Sequence, residues 1–270
     1  VDGRPLFLVG LPRSGTTFLQ RVLDAHPRIL LTDETAVFLQ LADLVTRSRR
    51  GVVEGIYFGK SHGELWAEIL RRHAKNLFHE FYASIAKKEN KKNLAYWGDK
   101  HPHYCNCMDF LLELYPDAVF LLSLRDPRDV ACSLARMNRV PLRQAISDTE
   151  IFLSRYLDFF QRHSEVVPFT IHYEKLVADP HRVCGEILAF LDLAFTPEVE
   201  RALETWRVRD AHAAPEGQEP RDFRNNTGNW QKLFSAEDLA VADATFAPYQ
   251  SLYSIGQLET PLELCVERAD

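Results

Sequence analysis

Gly10-Leu11-Pro12-Arg13-Ser14-Gly15-Thr16-Thr17 has the residue types of an anion cradle. Two glycines bracket four residues, and two threonines follow at once. Loop amides that converge at the start of a helix meet an anion at the positive end of the helix dipole. Ser14, Thr16 and Thr17 add hydroxyl donors, and Arg13 adds a forked guanidinium suited to phosphate or sulfate oxygens. The nucleoside-triphosphate loop has the same glycine spacing but needs a lysine directly after the second glycine. Thr16 stands there, and the cation has moved into the loop as Arg13. The cradle therefore suits a terminal group other than a transferable γ-phosphate with its magnesium.

Further polar residues fall where strands are expected to end: Arg13, Glu34, Lys100, Arg125 and Tyr173. Ligands of open parallel sheets bind at the carboxyl ends of the strands. A cation, an acid, two further cations and a phenol delivered there describe an anionic ligand beside a base. Arg125 precedes Asp126-Pro127-Arg128, and Ser133 follows eight residues on, two turns into the next helix. Plainer readings stand beside these. Arg125 could pair with Asp126 or Asp129, Glu34 could be a first-turn acid, Lys100 a surface cation and Tyr173 a half-buried aromatic. His101 and His103 follow Lys100 and could be bases or ordinary surface and cap residues. Arg224, favoured over Arg221, and Thr227 lie in a polar stretch where a solvated loop charge is the competing reading.

The elements that must position these groups follow from apolar patterning. Leu6–Val9 is a buried strand, and Phe18, Leu19, Val22 and Leu23 recur at helical spacing. Ile29–Leu31, Leu94–Trp97, Ala118–Leu124 and Val167–Tyr173 are further strands; Ala118–Leu124 is apolar on both faces, as in a central parallel strand. Pro127 suits the first position of a helix. Helical patterns cover about 36–46, most of 51–93, 108–114, 143–164, 183–191, 197–206 and the stretch up to Phe246, with fraying after Pro248. The expectation is a single α/β domain with a P-loop-like, five-stranded parallel sheet flanked by helices. A helical insertion occupies about 36–93, and a lid-like polar loop about 207–229.

At 270 residues with 46% apolar and 26% charged side chains, the chain can bury a core and is not disordered in character. The net charge of −6 argues against a nucleic-acid partner, so any anion site must be a local cluster of cations. The lysine run 87–92 reads as a solvated turn. Five scattered cysteines suggest buried thiols, and Cys105 and Cys107 lack companions for a zinc site, so no metal is expected. No run is long enough to span a bilayer and no signal peptide is evident. A start at Val1, almost on the first strand, reads as a trimmed domain or a processed fragment. The sequon Asn225-Asn226-Thr227 falls where a glycan would obstruct the ligand, which leans towards a cytoplasmic setting.

Pro12-Arg13-Ser14-Gly15-Thr16-Thr17 resembles the 5′-phosphosulfate loop of sulfotransferases that use 3′-phosphoadenosine 5′-phosphosulfate (PAPS), most closely the tyrosylprotein enzymes and many bacterial relatives. Arg125 and Ser133 resemble the family's 3′-phosphate motif, Tyr173-Glu174-Lys175-Leu176 its nucleotide-pocket segment, and Arg224–Lys232, loosely, its late Gly-Asp-Trp-Lys element. The resemblance covers roughly residues 5–176. It implies a donor site of Arg13, Ser14, Gly15, Thr16, Thr17, Arg125, Ser133, Tyr173, Arg224 and Thr227. It further implies Glu34 as general base, with His101 second and His103 third, and Lys100 and Arg13 at the transferring group. The product would be adenosine 3′,5′-bisphosphate, with no metal. One departure is Ala36, where tyrosylprotein enzymes carry an arginine for an acidic peptide. A small-molecule, carbohydrate or carrier-bound hydroxyl is therefore expected as acceptor, and an excised biosynthetic domain would fit. A protein tyrosine acceptor, a nucleotide kinase with a degenerate P-loop and a non-catalytic nucleotide-binding domain are the rival readings.

Overall fold

The computed structural model describes residues 2–50, 52–53, 56–57, 60–212 and 227–255, the side chains of 52–61 and 206–212 excepted. Five parallel strands, β1 (Arg4–Gly10), β2 (Ile29–Asp33), β5 (Tyr96–Lys100), β6 (Val119–Leu124) and β7 (Phe169–His172), form one sheet in the order β2-β5-β1-β6-β7. Helices precede or follow every one of these strands, the α/β organisation expected from the sequence. The described residues cluster into two compact units, those within 2–9, 17–119 and 196–202 in the first and those within 10–16, 120–195 and 203–255 in the second.

In the first unit, α1 (Thr16–Asp24) follows the cradle, and α2 (Val37–Arg49) follows β2. Two-residue strands β3 (Val52–Val53) and β4 (Ile56–Tyr57) form an antiparallel hairpin before α3 (Lys60–Lys88). The insertion is thus not helical throughout, because helical periodicity over 51–93 belongs only to the part from residue 60 onward. Phe7, Phe38, Phe78, Tyr82, Trp97 and Tyr104 are buried together, with Phe7–Phe38 centroids 5.2 Å apart and edge to face. Parallel register sets Leu8 opposite Lys100, Asp33 opposite Lys100 and Thr32 opposite Asp99. β5 runs three residues further than the expected strand, so Asp99 and Lys100 are strand residues and are buried. A 3-10 turn (Pro102–Asn106) and α4 (Met108–Leu114) complete this unit's central run.

In the second unit, β6 is buried along its whole length, as a strand covered on both faces must be. Asp126 caps α5 (Pro127–Asn138) by accepting from Arg128 N–H, and Pro127 opens it. α6 (Leu142–Arg162) buries Ala145, Ile146, Thr149, Phe152, Leu153, Tyr156 and Phe159 at three- and four-residue spacing. After β7 come α7 (Tyr173–Ala178) and α8 (Pro180–Phe190). α9 (Pro197–His212), whose residues up to 202 belong to the first unit, takes in the first part of the expected lid, and residues 213–226 lie outside the described residues. The chain then forms α10 (Trp230–Leu233) and α11 (Ala236–Phe246). Among the described residues the chain stays ordered past Pro248: Ala247–Ser254 is a 3-10 helix with Leu252 buried, Tyr253 donates to the Arg125 carbonyl at 2.8 Å, and residues 256–270 lie outside the described residues. Buried Leu252 and the Tyr253 anchor supply what local propensity lacked.

Candidate active site

Residues 10–16 of the cradle belong to the second unit and are fastened largely through the main chain. A Cβ on Gly10 would lie 2.0 Å from the Ser123 carbonyl oxygen, so only glycine allows this approach to β6. Leu11 N–H donates to that carbonyl at 3.0 Å. The Tyr156 hydroxyl accepts from Gly10 N–H at 2.9 Å and lies 3.1 Å from the Gly10 carbonyl, clamping the residue from α6. Arg13 and Gly15 have φ of 65° and 84°. For Arg13, which carries a Cβ, the left-handed conformation costs about 1–2 kcal/mol and marks a loop shaped by its surroundings.

Ser14 was expected to offer a hydroxyl to a ligand. Its Oγ instead donates within the scaffold, 2.6 Å from the Leu11 carbonyl and 3.1 Å from that of Ser123, and it is fully buried. Ser123 Oγ returns a bond to the Ser14 carbonyl at 2.7 Å. Ser14 therefore braces the loop. Arg13 is exposed, and its Nε donates to Ser133 Oγ at 3.1 Å. Arg125 is buried, donates from Nη1 to the Arg13 carbonyl at 2.9 Å, stacks 4.4 Å from the Tyr173 ring centroid and approaches Asp129 at 3.7 Å. Arg13, Ser133, Arg125 and Tyr173 thus form one continuous cationic and hydroxyl-bearing cluster. The pairing of Arg125 with Asp129 and its contact with Tyr173 coexist.

Asp129, marked in the sequence only as a possible partner of Arg125, also holds the late segment. Its carboxylate accepts from Gly228 N–H at 2.7 Å and Trp230 N–H at 3.2 Å, while the Arg128 guanidinium lies 3.9 Å over the Trp230 ring. Burial pushes the Asp129 carboxyl above its ordinary range, against the pull of Arg125. Thr227 is exposed beside this anchor, and Arg224 lies outside the described residues.

The first unit holds the second group of candidates. Lys100 Nζ lies 2.6 Å from Asp33 Oδ1, 2.6 Å from Glu34 Oε1 and 3.1 Å from Thr17 Oγ1. An ammonium has three donors, and here each finds an acceptor. Lys100 is 1% exposed, whereas the Glu34 side chain is half exposed. Asp33 was not foreseen; register across from Lys100 places it, and a lone aspartate at a strand end gives no such signal. Glu34 and Ala36 have φ of 52° and 57°, and Glu34 N–H donates to the Lys100 carbonyl at 2.9 Å. Two left-handed residues in one turn store about 2 kcal/mol or more.

His101 caps the 3-10 turn: its Nδ1 accepts from His103 N–H at 3.1 Å, and its ring lies 5.2 Å from that of Tyr104. Nδ1 is thereby kept unprotonated, and the neutral ring carries its proton on Nε2. Burial lowers the ring's affinity for a second proton, with Glu34 opposing that effect. His103 is exposed, with its ring 5.6 Å from His101. Cys105, Cys107, Cys132 and Cys184 are buried free thiols; Cys265 lies outside the described residues.

A parallel α/β sheet carries the glycine-bracketed loop after its first strand and the Lys100-bound carboxylate turn after its second. The model of the sulfotransferase family matches residues 5–198, and the chain belongs to that family. It is similar to protein-tyrosine sulfotransferase A of Caenorhabditis elegans, 26% identical over 208 residues that cover 72% of this chain and 51% of the relative. The chain thus spans about half the length of that relative. Its fold is that of the sulfotransferase domain of the Synechococcus PCC 7002 olefin synthase (TM-score 0.56, 19% identity, 91% of this chain and 95% of that one). A mouse sulfotransferase, SULT7A1, solved in complex with PAP, shares it as well (TM-score 0.53, 14% identity, 95% and 88%). No described helix is long and apolar enough to cross a membrane.

Proposed function

We propose that the chain transfers a sulfuryl group from PAPS to an acceptor hydroxyl, with Glu34 as general base. The observation that carries this reading is the Lys100 ammonium held between Glu34 and Asp33 and bonded to Thr17, the last residue of the cradle sequence. A base must stand beside the acceptor proton, and cations must meet the charge that spreads over the sulfuryl oxygens. Glu34 Oε1 and Lys100 Nζ supply that pair. The acceptor oxygen bonds to sulfur as its proton passes to Glu34, and the bond from sulfur to the phosphate oxygen breaks, leaving adenosine 3′,5′-bisphosphate.

Residues of the second unit suit the donor. The cradle amides, Arg13 and the start of α1 fit the 5′-phosphosulfate end; Arg125 and Ser133 fit the 3′-phosphate; the Tyr173 ring fits the nucleotide edge. Thr16 and Thr17 follow as hydroxyl donors, and Arg224 and Thr227 as contacts from the late segment. His101 serves better as a cap and Nε2–H donor than as base, because its Nδ1 is engaged by His103 N–H. The scheme uses no metal. Ala36 and the second acid, Asp33, disfavour an acidic peptide, so a neutral small-molecule, carbohydrate or carrier-bound hydroxyl is the acceptor class proposed.

Calorimetric titration with adenosine 3′,5′-bisphosphate, beside ADP and ATP with magnesium, tests the donor assignment. The bisphosphate should bind best, and Arg125→Ala should weaken it about 10- to 100-fold, as expected for losing one or two charge-assisted hydrogen bonds. Preference for ATP with magnesium would replace this reading with phosphoryl transfer. Glu34→Gln should lower kcat about 10²- to 10⁴-fold with bisphosphate affinity intact. Retained turnover would remove Glu34 from the base role.

A further inference from the structure

We propose that Asp99 is a positioning residue that locks the turn carrying Glu34; this rests on the sulfotransferase reading of Glu34 and Lys100. Asp99 directly precedes Lys100 in β5 and is fully buried. Its Oδ1 accepts from Thr32 Oγ1 at 2.8 Å, with Thr35 N–H at the edge of reach, 3.5 Å away. Its Oδ2 accepts from Thr35 Oγ1 at 2.9 Å and from the Tyr104 hydroxyl. Thr32 has a single hydroxyl proton, which goes to the nearer, charged Asp99 oxygen in preference to the Gly98 carbonyl at 3.0 Å. The Tyr82 hydroxyl, 3.4 Å away, is then the donor to Thr32.

One carboxylate therefore ties down both residues that bracket Asp33-Glu34. Left-handed backbone at Glu34 and Ala36 persists only where its surroundings over-determine it; from the adjacent strand Lys100 holds Asp33 and Glu34, and Asp99 holds the threonines on either side of them. Tyr104, fixed in turn by packing on Phe7 and Phe38, braces Asp99 from behind. Asp99 touches none of the reacting groups named above. A buried carboxylate is a costly way to hold a turn where an apolar pair would pack, which points to geometry rather than stability as its purpose.

The test compares Asp99→Asn, Thr35→Val and Thr35→Ser with the wild-type chain. Crystal structures come first: in Asp99→Asn and Thr35→Val, Glu34 should leave hydrogen-bond reach of Lys100, and in Thr35→Ser it should stay. Kinetics with ³⁵S-labelled PAPS and a panel of phenols, sugars and alkyl alcohols should show kcat lowered by up to about 100-fold in the first two, from misplacement alone. Thr35→Ser should restore it, with donor KM and bisphosphate affinity unchanged throughout. If Glu34 keeps its 2.6 Å contact in both Asp99→Asn and Thr35→Val, the positioning role is overturned. Absence of transfer by the wild-type chain to any acceptor would overturn the functional reading instead, and the crystallographic comparison would still decide the role of Asp99. Should Asp99→Asn not fold, Thr35→Val with its serine rescue decides the matter.

Discussion

Loop Gly10–Thr16 and turn Thr32–Thr35 are both strained, both follow a buried parallel strand, and are fastened in opposite ways. The loop is gripped by its backbone: the Ser123 carbonyl, the Ser14 carbonyl and both polar groups of Gly10 are taken up by Leu11, Ser123, Ser14 and Tyr156. The turn is gripped mainly by its side chains, through Thr32, Thr35, Asp33 and Glu34 to Asp99 and Lys100, with one main-chain bond from Glu34 N–H to the Lys100 carbonyl. Under the function proposed above the loop offers its amides to an anion, and such a site is not tied down through hydroxyls alone. A site that must offer a carboxylate can be held by the neighbours of that carboxylate. The comparison predicts that the loop fails through changes of backbone, and the turn through loss of single polar atoms.

Gly10→Ala should break the loop most severely. Its Cβ would meet backbone at 2.0 Å, which no rotamer change relieves, so bisphosphate binding should vanish and thermal unfolding should come markedly earlier. Binding at the wild-type level would refute main-chain fastening. Acid should act next. Burial lowers the His172 imidazole to about 4, below the ordinary 6.5, so the unfolded chain binds the proton more readily between those values. Stability from this group is complete above about pH 6.5 and is lost as pH falls towards 4, by about 3 kcal/mol in total. Denaturant titrations at pH 7 and 4.5 on wild type and His172→Gln measure it, and an equal acid sensitivity in both would sink the assignment.

Tyr156→Phe should cost about 2 kcal/mol by leaving the buried Gly10 N–H without its acceptor. Hydrogen exchange at Gly10 would read this directly, and unchanged protection would mean the clamp is dispensable. Trp230→Ala, which removes the Arg128 stack while keeping the backbone bonds to Asp129, should cost about 1 kcal/mol. A much larger loss in denaturant titration would show that side chains, not main chain, hold the late segment.

Much of this was legible in the sequence because it is local. Glycine spacing at 10 and 15, an apolar run at 118–124 and Pro127 after Asp126 each state a backbone requirement within a few residues of itself. Those patterns were enough to predict five parallel strands, the cradle and the family resemblance. Asp33, Asp99 and Tyr156 carried no such mark, and Asp129 carried one only as a partner of Arg125, not as the anchor of the late segment. Each is an ordinary residue type whose partner lies far along the chain, 64 residues from Thr35 to Asp99 and 146 from Gly10 to Tyr156. Their meaning depends on strand register and helix packing, which pair residues only once the core has formed. The hydroxyl of Ser14 makes the same point in reverse: its type suits a ligand, and only the closeness of the Ser123 carbonyl turns it inward. Residue type and spacing determined which chemistry the chain can carry. Tertiary structure decided which atoms are left to do it, because hydrogen-bond partners are assigned by three-dimensional proximity and not by sequence distance.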